Sequence, residues 1–382
     1  MIRRHFALRQ GERYLFFPSW FLLLVLCWLF PCAEGKAKEL FVIDQDGAGP
    51  GGSDMQSLLL ALHSPEVELL GITVVSGDCW RDEGVAHTLR LLEVAGRREV
   101  PVVGGAVYSL LRTRKETEIW EQLFGKLFYK GAWSTAYPGK ELHPPLSFPE
   151  DPFHPPPPVE GAPALRPSPG FAANFLVETA RNHPGEVPLL AMGPLTNVAL
   201  ACRLDPEFSR RIKKLGLMGG SIDPRTSDRE WSTNPRFEFN FFWDPEAAHI
   251  VLTAPWNRVE AYPVDPGIQT VMSRELSSEV SEGNSAVGRY LRQYAWIGLP
   301  MWDEVAVAGS LDPSLIVQKE TLFLDVDLSR GPSYGNTLVW KTGSEPGLGE
   351  QRVEVIRKID PKLFYRFFRE RIRAAPPEAK AE

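Results

Sequence analysis

Three aspartates, Asp44, Asp46 and Asp54, bracket the stretch Phe-Val-Ile-Asp-Gln-Asp-Gly-Ala-Gly-Pro-Gly-Gly-Ser-Asp that runs from Phe41 to Asp54. Carboxylates this dense, beside the carbonyl oxygens of a glycine-rich turn, make the oxygen donor set that hard divalent cations such as calcium select. The glycines allow backbone angles that other residues resist and let a ligand come close. The same residues also read as an N-capping Asp54 beside ordinary turn aspartates, and the loop alone leaves both readings open.

The elements around the loop decide where those carboxylates point. Residues 40–43 are a short apolar run of the kind that forms a buried parallel strand, and Asp-Met-Gln-Ser-Leu-Leu-Leu-Ala-Leu from Asp54 reads as a buried helix. That places the acids at a strand's carboxyl end and a helix's start, where α/β sheets hold their ligands. The pattern continues with strand 68–75, helix 82–95 and strand 100–103, then helix 170–182, strand 187–191, helix 196–203 and strand 214–218. Later come helices 245–252, 285–296 and 303–311, strands 320–327 and 351–359, and an amphipathic helix over 360–374. Strands alternating with helices predict right-handed crossovers in an α/β fold: a single large domain over residues 36–375, with a mostly parallel central sheet flanked by helices. Residues 137–169 are proline-dense, with four consecutive prolines from Pro155 to Pro158, and are expected to form an extended or mobile excursion. Residues 223–234 read as a polar loop, and 376–382 as a flexible tail.

The 382 residues are 43% hydrophobic and 24% charged, which excludes disorder of the whole chain. Arg3, Arg4, Arg9 and Arg13, an unbroken apolar run over 20–30 and the segment Pro31-Cys32-Ala33-Glu34-Gly35 have the layout of a secretory signal peptide over residues 1–35, cleaved after Ala33 or Gly35. The alternative is an uncleaved membrane anchor, since the apolar region approaches the length of a bilayer span if residues 14–19 join it. Without residues 1–35 the chain has 38 Lys plus Arg against 46 Asp plus Glu, which argues against a nucleic-acid partner. Cys79 and Cys202 then remain, enough for one bridge but not a disulfide framework. No Asn-X-Ser/Thr acceptor is present.

Five separated motifs occur in one order: Phe41 to Asp54, Ser64 to Thr73, Met192-Gly193-Pro194-Leu195-Thr196-Asn197, Leu217-Met218-Gly219-Gly220, and Glu238-Phe239-Asn240 followed by Asp244-Pro245-Glu246-Ala247-Ala248. Together they resemble the inosine-uridine-preferring nucleoside hydrolase family from about Leu40 to Ile359. The resemblance implies a single α/β domain that hydrolyses the N-glycosidic bond of ribonucleosides and holds one calcium ion at the strand ends; with the N-terminal layout above, a secreted enzyme is expected. Carried over motif by motif, it implies Asp46, Asp54, the Met192 carbonyl and Asp303 as the calcium ligands, and Asp46 as the base that takes a proton from water. Glu238 and Asn240 would grip the ribose, with Asn234 the nearest candidate for a further asparagine. Trp302 stands where pyrimidine-tolerant members have a histidine. This resembles the purine-preferring branch, in which an indole stacks on the departing base, so purine nucleosides are slightly favoured. The competing reading makes Trp302 a core tryptophan; Trp133 and Tyr129 are candidates for a second stacking partner. The family also implies a homodimer or homotetramer.

The first loop departs from the family's Asp-X-Asp-Pro-Gly-X-Asp-Asp run. It is three residues longer, and the penultimate aspartate, which meets substrate, is Ser53, a hydroxyl without charge. Asp78 stands where the family has asparagine, and an extra carboxylate there is expected either to raise metal affinity or to take over the charge missing at Ser53 on the substrate side. These departures keep two alternatives open: a calcium-bound nucleoside-binding protein without turnover, and a hydrolase of another N-glycoside. His87 and His249 read as packed, Cys79 as a suppressed thiol, Asp265 as a turn residue, and Thr196 and Asn197 as helix caps that fix the Met192 carbonyl.

Overall fold

The computed structural model describes residues 38–137, 141–283 and 285–374; the segments 1–35 and 376–382, expected as a leader and a tail, lie outside the described residues. The strands are β1 (Glu39–Gln45), β2 (Val67–Val74), β3 (Val102–Gly104), β4 (Pro188–Ala191), β5 (Lys214–Met218), β6 (Val259–Tyr262), β7 (Ile316–Val326), β8 (Thr337–Lys341) and β9 (Arg352–Ile359). They form one sheet in the order β3-β2-β1-β4-β5-β6-β9-β7-β8. Every pairing from β3 to β9 is parallel, while β7 pairs antiparallel with both β9 and β8. This is the expected α/β domain with a mostly parallel sheet.

Burial on both faces explains why the strands read as continuous apolar runs. Phe41 and Ile43 of β1 join the core beneath helices Ser53–Leu62, Arg81–Ala95, Trp302–Leu311 and Pro361–Arg373, while Val42 joins the core under Ala172–Asn182, Thr196–Leu204 and Pro245–Leu252. All ten residues of Ser53–Leu62 are buried, the polar Ser53, Asp54, Gln56 and Ser57 of its first half as well as the apolar run that follows. The last helix, Pro361–Arg373, is amphipathic. Asp360 Oδ1 accepts from Lys362 N–H at 2.9 Å and Leu363 N–H at 3.2 Å, Pro361 opens the first turn, and Phe364, Phe367, Phe368 and Ile372 form its buried stripe.

Several details differ from expectation, and the helix Arg114–Phe124 and strands β6 and β8 were not among the expected elements. The polar loop at 223–234 contains a short helix, Arg229–Thr233, because Asp228 caps it by accepting from Glu230 N–H at 3.1 Å. Asp54 is not an N-cap: Gly52 holds that position, and Asp54 sits in the first turn. The proline-dense excursion has no helix or strand among its described residues, yet it is fastened rather than loose. Trp296 Nε1 donates to Pro144 O at 2.9 Å, Trp80 Nε1 to Pro149 O at 2.8 Å, and Ser168 N–H to Val102 O at 2.8 Å, while Leu142 and Leu146 pack with Trp296 and Leu299. Thr196 and Asn197 do not cap their helix. Thr196 Oγ1 donates to Asp244 at 2.7 Å and Asn197 Nδ2 to Asp44 at 2.8 Å, ties that join neighbouring elements. Cys79 and Cys202 are both free thiols.

Candidate active site

The strand order reverses at β1 and β4, and the crevice beyond the carboxyl ends at such a switch is where an open α/β sheet binds ligands. Here five adjacent strands each deliver a residue to one cavity at or shortly past their carboxyl ends: Asp78 beyond β2, Asp46 directly after β1, Met192 directly after β4, Met218 as the last residue of β5, and Val264 beyond β6. The cavity measures about 80 Å³. Asp46, Asp54, Asp78, Glu230, Glu238 and Asp303 all line it, and no Lys, Arg or His among the described residues does.

Asp46 is held from two sides. Asp78 N–H donates to its Oδ2 at 2.8 Å, and its own N–H donates to Gln45 Oε1 at 2.8 Å. Gln45, fully buried, turns its amide nitrogen to Asp303 Oδ2 at 2.9 Å, so one side chain ties Asp46 to a carboxylate 257 positions further on. Ala48 N–H donates to Asp54 Oδ2 at 2.6 Å. Glycine is required by close packing at two points: a β-carbon at Gly51 would fall 1.5 Å from the Tyr294 carbonyl oxygen, and one at Gly77 would fall 2.1 Å from Asp46 Oδ2. These glycines admit the protein's own atoms close to the acidic loop.

Burial, then the neighbouring Asp54 and Asp78 carboxylates, push Asp46 well above the usual carboxylate range. Burial, then Asp78 and Asp303, do the same to Asp54, and burial with Glu304 and Asp46 raises Asp303. Burial, with Glu238 adding to it, lifts Asp78 to about 7. Carboxylates that repel one another without a basic partner suit a hard divalent cation, and the Met192 carbonyl on the same wall adds a neutral oxygen. Among the described residues, no three Asp, Glu, His or Cys side chains already stand closed around a single metal position. The donor chemistry of the cavity nonetheless fits such an ion.

Ser53 Oγ accepts from Asp303 N–H at 3.0 Å and donates to Glu304 Oε2 at 2.5 Å. Glu304 is therefore the acid in contact with Ser53, a neighbour that sequence spacing did not reveal; Asp78 stands elsewhere on the cavity wall. Both Glu238 oxygens accept backbone N–H groups, from Asn240 at 2.9 Å on one side and from Gly220 and Phe241 at 3.0 Å on the other. Asn240 Nδ2 donates to Met218 O at 3.1 Å and lies 3.5 Å from Met192 O. Asn234 is not brought into the cavity. The helix Arg229–Thr233 turns it outward, where its amide pairs with that of Asn336 at 3.2 Å in an adjoining cleft.

Trp302 lines the cavity half-buried, with Trp231 edge-on at 6.1 Å between ring centroids. Tyr129 lines it too, whereas Trp133 is core, stacked on Trp243 at 3.9 Å. Tyr137, Leu146, Trp231, Trp296 and Leu299 complete an aromatic and aliphatic wall that sequence reading missed. His87 is packed under the acidic loop against Glu160, His249 bonds Asp325, and Asp265 accepts from Ile222 N–H and Asp223 N–H. Burial, then Glu83 and the site carboxylates, pushes the Cys79 thiol well up, which suppresses the thiolate.

A sequence profile for the inosine-uridine preferring nucleoside hydrolases matches residues 41–366. The chain is 30% identical over 300 residues to a protein named probable uridine nucleosidase 2 from Arabidopsis thaliana, covering 75% of this chain and 82% of that one. It is 27% identical over 343 residues to a pyrimidine-specific ribonucleoside hydrolase of Citrobacter koseri, covering 85% and 95%. Among solved structures, a plant nucleoside hydrolase aligns with a TM-score of 0.66 at 25% identity, covering 88% of this chain and 99% of that one. A purine-preferring ribonucleoside hydrolase from Gardnerella vaginalis aligns with a TM-score of 0.68 at 21% identity, over 88% and 98%, a likeness of fold alone.

Proposed function

Since this chain belongs to the inosine-uridine preferring nucleoside hydrolase family and is an N-glycosyl hydrolase, we propose that it splits ribonucleosides in the strand-end cavity, with calcium as its ion and purine nucleosides slightly favoured. The observation that carries this reading is a cavity lined by six carboxylates and, among the described residues, no basic side chain, at the sheet's switch point. Breaking an N-glycosidic bond builds positive charge on the sugar, and fixed carboxylates around it stabilise that charge. Asp46, oriented by Asp78 N–H, is the base that accepts the proton of the attacking water. Asp46, Asp54, Asp303 and the Met192 carbonyl would hold the ion, which supplies a lowered pKa for water and an anchor for ribose hydroxyls. Glu238 and Asn240, locked by backbone bonds, present the sugar-binding wall. Stacking on Trp302 and Trp231 supports a purine leaving group. The names of the relatives favour a second reading, preference for uridine. The secretory route is supported by the basic, apolar and small-residue succession over residues 3–35.

The test is sugar release from inosine, adenosine, guanosine, uridine and cytidine, with calcium or with EDTA, against an Asp46→Ala control. The reading expects calcium-dependent release that the substitution abolishes, fastest on the purines. Faster uridine hydrolysis would favour the second reading, and binding without any release would return the chain to a nucleoside-binding protein.

A further inference from the structure

The cavity of about 80 Å³ is roughly half the ~150 Å³ that admits one benzene ring, so it does not enclose a whole nucleoside. It opens across Tyr137, Glu230, Trp231 and Trp302 onto a cleft of about 1050 Å³ that those four residues also line. A sugar seated among Asp46, Glu238 and Asn240 therefore sends its base through that junction. Three of the four junction residues are aromatic, and two, Tyr137 and Glu230, bear a proton-carrying oxygen.

We propose that Glu230 is the general acid that protonates the departing base. This rests on the nucleoside-hydrolase reading above and adds to it a residue that none of the sequence motifs contains. As the bond between C1′ and the base nitrogen breaks, its electron pair goes to the base, and the proton of the Glu230 carboxyl goes to a base nitrogen. Water adds its oxygen to C1′ and gives one proton to Asp46, and that proton returns through solvent to restore Glu230. The sum is nucleoside plus water to ribose plus neutral base.

The geometry supports the role in three ways. Asp228 caps the helix Arg229–Thr233 and so sets Glu230 in its first turn, facing both spaces. Among the described residues no hydrogen bond or ion pair engages the Glu230 carboxyl group. The charged groups around it are Asp228 on its own segment, Glu238 at the start of helix Phe239–Trp243, and Asp78 after β2; Lys126 and Arg229 lie on the cleft, and Glu121 takes the Lys126 ammonium at 3.3 Å. Burial, then those three carboxylates, lifts Glu230 to about 8, so it carries its proton at neutral pH. Burial pushes Tyr137 well above 10, which makes its hydroxyl the poorer donor.

The test compares Glu230→Gln with the full-length wild type on inosine, uridine and p-nitrophenyl β-D-ribofuranoside, whose leaving group departs without a proton. A general acid contributes roughly 10²–10⁴-fold. The expected result is a kcat loss on the nucleosides at least tenfold larger than on the p-nitrophenyl riboside, together with loss of an alkaline limb near pH 8. Equal losses on all three substrates would make Glu230 a structural residue, and no loss on any would remove it from the reaction; either overturns the proposal. A wild type that releases sugar from no nucleoside would instead sink the functional reading on which it rests.

Discussion

Gly77→Ala tests whether the position of Asp46 is what the fold protects at this site. A β-carbon there would lie 2.1 Å from Asp46 Oδ2 and 2.7 and 2.8 Å from Cδ and Cγ of Pro194. Non-bonded atoms settle at about 3.5 Å, so the carboxylate must withdraw by about 1 Å or more. Gly77 is not in the left-handed region, so the effect is steric and carries no backbone strain of its own. A displacement of about 1 Å at a reacting group costs roughly 10²-fold, or about 2.7 kcal/mol of barrier. Overpacking also costs about 1–3 kcal/mol of stability. The assay is kcat for sugar release on protein shown to be folded by a thermal melt. Gly331→Ala, with open space around it and an ordinary backbone, is the control. A Gly77→Ala enzyme within threefold of wild type and melting at the same temperature would refute the claim that the Gly77 turn fixes Asp46.

Ser53→Asp is expected to lower the melting temperature, because the new carboxylate meets Glu304 where the hydroxyl stood 2.5 Å away. Adding Glu304→Gln should recover most of the loss, with a coupling of about 1 kcal/mol or more in a double-mutant cycle; additive losses would show that the two sites do not interact. His87 gives a pH dependence. Burial would lower it, but the Glu160 and Glu83 carboxylates outweigh that and raise it from 6.5 to about 9. The stability this contributes is therefore complete below about pH 6.5 and lost as pH rises through about 9, about 3 kcal/mol at most. Glu160→Gln should flatten that decline in denaturant titrations run from pH 6 to 10, and an unchanged slope would assign it elsewhere. Trp302→Ala should raise KM for inosine about tenfold, near 1.4 kcal/mol, and for uridine by less; equal effects on both would deny Trp302 a part in base preference.

Much of the site was legible because the informative residues are local. An apolar strand followed at once by Asp46, the Gly-Pro-Leu-Thr-Asn segment after Met192, and Glu238-Phe239-Asn240 are each short pieces whose neighbours along the chain are also their neighbours in space. Most of the long helices and longer strands were visible for the same reason, since a buried stripe repeats with the element's own period. The eleven-residue helix Arg114–Phe124 was not, because it buries only Thr117 and Glu121 and so carries no apolar core stripe, and neither were several short elements. The four residues of β6 and the five of helix Arg229–Thr233 offer too few repeats to establish a period, and Asn234 was assigned by its distance from Glu238 in sequence when the intervening turn points it at Asn336.

The sequence by itself determined the class of fold, the acidic corner and the sugar-side motifs. Only the tertiary structure decided what surrounds them. Gln45 reaches Asp303, Ser53 reaches Glu304, Glu160 reaches His87, and Tyr137 and Trp231 join Trp302 in one wall. The physical reason is that periodicity records which face of an element is buried, whereas contacts between distant residues are set by strand order and by how the loops close over the sheet's carboxyl edge.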